Sequence, residues 1–456
     1  MTQQEALGIL KLGTNVFLTG PAGSGKTFLL SQYIDYLKKH KIKVAVTAST
    51  GIAATHLNGR TIHSWCGMQI NERLSKSELR ALQRNKELCA KIRSTKVLII
   101  DEISMLNANR LDLANSICQV IRQDLRPFGG MQVIFSGDFF QLPPVVKDRD
   151  KEDGRFVVES EIWKEMEITI CYLEEQYRQD DKLFLQVLND IRGSRINEKT
   201  ADILKQRINQ SIESGAIKPT KLHTHNHDVD AYNLFELQRI AGKSEYYHMQ
   251  ASGVPNLVKF LKKNCLAPEV LEIKIGATVM FLRNNFNKKY VNGTMGQVIG
   301  FDPDNGYPII KTVRGHQIIA SPEKWAVEEG GEELAQVSQV PLRLAWAITV
   351  HKSQGMSLDF AEIDLSKTFE YGMGYVALSR VRSLLGIKLV GINEKALLVN
   401  GQVAVFDKEL FAQSNQNLDD YKKLSSREIK RGHNNFIKIK KNKIPDLTKV
   451  ISDIPF

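Results

Sequence analysis

Four short apolar runs punctuate the first third of the chain: VFLTG (16–20), VAVTAS (44–49), VLIID (97–101) and MQVIFSG (131–137). Each is short and nearly uniformly apolar, the pattern of a strand buried on both faces. Between them the period changes. KTFLLSQYIDYLKKH follows the first run and GIAATHL the second; after the third, Leu111, Ala114, Ile117 and Ile121 recur at spacings of three and four, as on an amphipathic helix. Strand and helix in alternation predict a parallel sheet with helices on both faces, and ligands at the carboxyl ends of its strands. The polar stretch NERLSKSELRALQRNKEL interrupts the alternation and reads as a small helical insertion, at about residues 60–95.

A second α/β region begins near Glu175 and is broken by a segment of different character. GATVMFL, GTMGQVIGF, YPIIKTV and HQIIA are separated by NG, DNG and RG, the spacing of hairpins. They predict a small β-barrel of SH3-like pattern over 272–332. The α/β pattern returns at LRLAWAITV (342–350) and closes at GIKLVGI (386–392). The chain thus divides into a first α/β domain (1–175), a second in two pieces (176–271 and 333–412), the barrel between them, and a basic tail (413–456).

Composition narrows the class. Hydrophobic residues are 42% and charged residues 25% of 456, the balance of a globular protein, and no run approaches a membrane span. The N-terminus lacks a secretory pattern, and five scattered cysteines suit a reducing compartment, so the expected location is cytoplasmic. The net charge is +11, and residues 415–456 hold ten Lys/Arg against five Asp/Glu. Such an excess suits a polyanionic partner, usually nucleic acid.

The chemistry is most specific at GPAGSGKT (20–27), which fits G-x-x-x-x-G-K-[ST] between a strand and a helix. Gly20, Pro21, Ala22, Gly23, Ser24 and Gly25 form the phosphate-cradling turn, Lys26 reaches the β- and γ-phosphates, and Thr27 ligates Mg²⁺. In VLIIDEISML, Asp101 and Glu102 fall at a strand's carboxyl end, where one carboxylate serves the Mg²⁺ shell and its neighbour activates water. Arg178 in LEEQYRQ and Arg380 in GYVALSRVRS are candidate cations for the γ-phosphate. Gln141 in FSGDFFQLPPV stands beyond the fourth run with more polar equipment than a strand end needs.

Taken in order, GPAGSGKT, TASTGIAATHLNGRTIHSW, VLIIDEISML, PFGGMQVIFSGDFFQLPPV, LEEQYRQ, LAWAITVHKSQGMSLDF and YVALSRVRS resemble the successive motifs of a superfamily-one DNA helicase. More narrowly, the chain resembles the PIF-type (petite integration frequency) family, relatives of RecD and Dda, from about residue 3 to 385. The most specific stretch runs from DLANSICQVIRQDLRPFGGMQ into GDFFQLPPV. The resemblance implies two RecA-like P-loop domains, ATP and Mg²⁺ as cofactors, and 5′-to-3′ movement on single-stranded DNA. Forked or structured duplex DNA is the further substrate, in replication, repair, recombination or the family's telomere maintenance; the chain is expected to be a monomer in solution. It also implies that Gln3 or Gln4 contacts adenine, that Gly355 borders the nucleotide, and that Gln141 touches the γ-phosphate region.

A strand track needs grips on both α/β halves. TASTGIAATHLNGRTIHSW offers Thr50, Gly51, His63 and Trp65, with Trp65 either meeting a base or packed inside. ITVHKSQG offers Thr349, His351 and Lys352, with Thr349 or Lys352 favoured for phosphate. His223, His225 and His227 alternate on a short extended segment and cannot all face one ion, which argues against a metal cluster. The competing readings are a DNA-binding ATPase switch without unwinding, an RNA or RNA–DNA hybrid helicase, and a P-loop small-molecule kinase.

Overall fold

The computed structural model describes residues 1–441 except 69–72, 145–155, 180, 213–216, 224–228, 286 and 330–331. Its first sheet has six strands: β1 (Asn15–Thr19), β2 (Val44–Ala48), β3 (Arg60–Thr61), β4 (Val97–Asp101), β5 (Gln132–Ser136) and β6 (Ile168–Tyr172). They run parallel in the order β3-β2-β4-β5-β1-β6. Alternate residues of each strand feed opposite cores, as the two-residue period of a strand requires. Val16, Leu18, Val97, Ile99 and Ile134 pack on one face. Phe17, Leu98, Ile100, Val133 and Phe135 pack on the other, in a core continuous with the second half of the molecule. Helices α1 (Gln3–Leu12), α2 (Lys26–Lys39) and α3 (Gly51–His56) contribute to the covering layers.

The second parallel sheet has four strands in the order Ala347–Thr349, Thr220–His223, Ala361–Leu365, Ile387–Ile392. Both α/β patterns therefore become parallel sheets, joined by a shared core. The helical insertion appears as three short helices, Ile62–Cys66, Lys76–Leu82 and Lys86–Ser94.

The antiparallel region is larger than the 272–332 expected from hairpin spacing. A five-stranded sheet draws Leu342–Leu344 in beside Thr278–Phe281. A second, three-stranded sheet pairs Glu323–Glu329 with Glu332–Gln339 and adds Gln250–Gly253, while Val270–Ile273 pairs with Glu245–His248. Strand neighbours far apart in sequence leave no turn signal between them, so strands within 245–253, 270–273 and 333–344, in stretches largely assigned above to the second α/β domain, lie outside its sheet, with the helix Pro255–Asn264 packed beside them.

The basic tail, whose order the sequence leaves open, is helical over most of its described part. Residues Gly401–Lys423 and Ser426–Lys441 form two helices packed on the first sheet and on α1. The Tyr172 amide donates to the Ser414 hydroxyl at 3.0 Å, and Asn417 donates to the Ile170 carbonyl at 3.3 Å. Phe436, 4% exposed, joins Ala6, Ile9 and Leu10 in the core. Burying such a ring is worth about 1.5–3 kcal/mol, enough to seat a helix whose other faces are charged.

Candidate nucleotide site and nucleic-acid face

β1, β4 and β5 lie side by side, so the loops after them leave the same edge of the sheet. After β1, Gly20, Gly23 and Gly25 all take positive φ (139°, 85° and 83°), and Gly25 starts α2 from the left-handed region. A Cβ on Gly20 would lie 2.4 Å from the Leu173 carbonyl oxygen, so only glycine lets this turn close. Pro21, Ala22 and Ser24 are buried in the turn, and the Ser24 hydroxyl has no partner among the described residues. The Lys26 ammonium lies inside the loop, donating to the carbonyls of Gly20 (2.8 Å) and Pro21 (3.1 Å). Thr27 is exposed at the mouth.

Asp101 ends β4, and its carboxylate accepts from the Glu102 amide at 2.9 Å. Glu102 takes a left-handed backbone (φ 51°), an unfavourable conformation for a residue with a Cβ and one that concentrates at functional sites. Burial, and then the neighbouring Asp101, push the Glu102 carboxyl up to about 7; burial raises Asp101 as well, against the pull of Lys26. The mirror effect acts on the cations: burial lowers Lys26, and burial together with Arg380 brings Arg178 down to about 9. Carboxylates held too protonated and cations held too weakly basic are each short of counter-charge. A metal–polyphosphate supplies both signs. The hard oxygens of Thr27 and Asp101 suit Mg²⁺ held mainly by phosphate and water, and the described residues contain no cluster of His, Cys, Asp and Glu that would hold a metal unaided.

The second half completes the cleft, whose volume is about 290 Å³, near the low end of small-molecule sites at roughly 300 Å³. Arg380, 1% exposed, donates to the Gln141 carbonyl oxygen at 3.3 Å, and Arg178 donates to the Ser379 carbonyl at 3.0 Å. Gly355 and Gln141 both line the cleft. Gln3, and not the exposed Gln4, reaches the loop, donating to the Ser24 carbonyl at 3.1 Å. Sequence reasoning missed several neighbours. Tyr177, 58% exposed, presents a ring beside Gly25 and Gln3. The Tyr375 hydroxyl accepts from the Ala22 amide at 3.1 Å, tying the second half to the loop. Asn284, Asn292 and Arg382 line the far wall; the two asparagines come from the antiparallel region, and no local pattern could have announced them.

The strand-facing candidates separate. Thr50 caps α3, accepting from the Ala53 amide at 3.3 Å, and Gly51 lies against Asn264 of helix Pro255–Asn264. Trp65 is 1% exposed, packed in the main core with its indole nitrogen unpartnered among the described residues. It is a packing residue, not a base contact: its helix, the first of the insertion, packs on the helix Ala108–Arg122. His63 is half-buried, and burial beside Arg110 lowers its imidazole to about 4. Thr349 is also buried, its hydroxyl accepting from the Lys352 amide at 3.2 Å, so it shapes the loop from which exposed His351 and half-exposed Lys352 project. His223 ends a strand of the second sheet; His225 and His227 lie outside the described residues.

Comparison with known proteins agrees with this geometry. The family model for PIF1-like helicases matches residues 4–202, and that for the 2B domain of the DNA helicase Pif1 matches 256–301. The chain is 42% identical to the ATP-dependent DNA helicase Pif1 of Psychrobacter sp. over 96% of its own length and 75% of that protein's. Unliganded Pif1 from Bacteroides sp superposes with a TM-score of 0.77 at 30% identity, covering 91% of this chain and 97% of that one. Bacteroides Pif1 in complex with ADP-AlF3 and ssDNA gives 0.58 at 32% identity over the same shares. Loop, acidic pair, two-sided cleft and sequence identity converge, and the chain belongs to the PIF1-like helicase family.

Proposed function

We propose that the chain is an ATP-dependent DNA helicase that moves along single-stranded DNA and separates forked or structured duplexes. The observation that carries this is the composite cleft, in which a phosphate loop on one parallel sheet, with Arg178 packed beside its Gly23, meets Arg380 from the second half. Nucleotide bound there touches both halves, so its charge state biases how tightly they close. Lys26 and Mg²⁺ on Thr27 and Asp101 would neutralise the phosphates, and Glu102 would hold the attacking water. Arg178 and Arg380 would meet charge developing on the γ-phosphate, Gln3 would contact adenine, and Gly355 would border the nucleotide. Tyr177 offers a stacking face beside Gln3. The grips on the strand are assigned to Thr50 and Gly51 on one half and to His351 and Lys352 on the other, with His63 at the margin. The related complex with ADP-AlF3 and ssDNA supports this division. Movement 5′ to 3′ and service in replication, repair or recombination are the parts of this reading that rest on family resemblance, and a monomer in solution is its proposed state.

The test is ATP hydrolysis with and without oligo-dT. Stimulation by the oligonucleotide is the expected result, and Lys26→Ala should abolish hydrolysis while leaving oligo-dT affinity nearly intact, since Lys26 sits in the phosphate loop. Hydrolysis indifferent to oligo-dT would remove the motor reading and leave a P-loop enzyme of another kind.

A further inference from the structure

The most deeply buried ion pair among the described residues joins Asp138, whose side chain is 0% exposed, to Arg192, at 8%. Arg192 ends helix Lys182–Arg192 and lies in neither the cleft nor the strand-facing loops. One of its guanidinium nitrogens donates to Asp138 Oδ1 at 2.9 Å. The other donates to the Tyr172 hydroxyl and to Asp407 Oδ1, each at 2.9 Å, and the Tyr172 hydroxyl in turn donates to Asp407 at 3.1 Å. The guanidinium also stacks 4.4 Å from the Phe140 ring centre. On the far side, Asp138 Oδ2 accepts from Gln141 Nε2 at 3.2 Å, and Gln141 Oε1 accepts from Arg380 at 3.3 Å. A continuous polar line thus runs from Asp407, on the helix Gly401–Lys423, to a cation of the nucleotide cleft.

Two physical arguments give this line a role. A buried ion pair loses hydration that apolar side chains would not, so packing alone favours replacing it; what such a pair can supply is a fixed geometry. The geometry fixed here is the Gln141 amide. A carboxylate only accepts, so Asp138 holds the NH₂ end of Gln141 toward itself and leaves the carbonyl end for Arg380, which only donates. Were Asp138 to swing away, the amide could turn and set two donors against each other at Arg380.

We propose that Arg192 is a positioning residue for hydrolysis: through Asp138 it sets the orientation of Gln141 against Arg380, and Asp407 anchors it from the C-terminal helix. The proposal rests on the motor reading above. Its test is a double-mutant cycle on oligo-dT-stimulated hydrolysis, with melting temperature followed in parallel. Arg192→Ala should lower stimulated kcat about tenfold, the worth of one lost charge-assisted hydrogen bond, with KM for ATP little changed. Gln141→Ala should do the same, and the double variant should be no slower than the slower single one. Arg192→Lys keeps the charge without the fork, so it should recover melting temperature but not kcat. Should Arg192→Ala fail to fold, Asp407→Asn takes its place in the cycle. Losses that multiply, or kcat restored fully by lysine, would overturn the proposal and leave Arg192 a packing cation. Absence of any stimulation in the unsubstituted protein would instead remove the motor reading, and the proposal with it.

Discussion

Glu102 and Lys26 show at the scale of single residues how the cleft is prepared. Burial raises one and lowers the other, so each is poised for a ligand that carries the opposite charge. The same burial acts on histidine, with a consequence for stability. His56, packed beneath Gly355 and 3.5 Å from the Asn292 amide, is lowered from 6.5 to about 4 by burial and then by Arg283; His63 is lowered to about 4 as well. With a folded value below the unfolded one, the unfolded chain binds more protons between those limits. The stabilising contribution is therefore complete above pH 6.5 and is lost as pH falls toward 4. Glu102, raised by burial, acts in the opposite sense over the same range, so the comparison between proteins is the test: on going from pH 7 to pH 5 the urea midpoint of His56→Gln should fall less than that of the unsubstituted protein, and an identical pH dependence in the two would refute the assignment. Residues of this kind differ in how well sequence announces them. Lys26, Thr27, Asp101 and Glu102 were legible because a strand end and its following loop are consecutive in the chain. Trp65 was not, because the element that covers it includes the helix Ala108–Arg122, more than forty residues further along the chain.

Elements follow the same logic of local against distant partners. The parallel strands were readable because uniform apolar runs admit one environment. The order of the C-terminal helices was not legible because their charge masks a stripe: Leu418, Tyr421 and Phe436 all pack on the core beneath α1. Hydrogen bonds from Tyr172, Arg192 and His433 to Ser414, Asp407 and Gly8 fix these helices to the body. Phe436→Ala leaves a cavity beside Ala6, Ile9 and Leu10 and should cost about 3 kcal/mol, measurable by chemical denaturation. A loss below about 0.5 kcal/mol, typical of a surface site, would show that the terminal helix adds nothing to the fold. The edges of the antiparallel region were illegible for a related reason: Gln250–Gly253 and Glu332–Gln339 pair across some eighty residues, a distance that turn chemistry does not encode.

At the scale of the whole molecule, two parallel sheets share one core and one cleft, and the antiparallel region stands against the first half through Arg60–Glu329 at 2.6 Å and Asn264 beside Gly51. Charge that enters the cleft meets Lys26 at the start of α2 and Arg380 just past the helix Met373–Leu378 of the second half, and the proposed line through Gln141 links that cation to the C-terminal helix. In the proposed cycle phosphate chemistry becomes relative movement of the halves, and the proposed grips on each half turn that movement into travel along a strand. The direct measurement is strand displacement on forked DNA bearing a single-stranded 5′ or 3′ tail, with and without ATP and Mg²⁺. The account predicts ATP-dependent displacement from the 5′-tailed fork and none from the 3′-tailed one. Hydrolysis stimulated by either DNA with no displacement from either would contradict it, leaving an ATPase that clamps its strand without travelling.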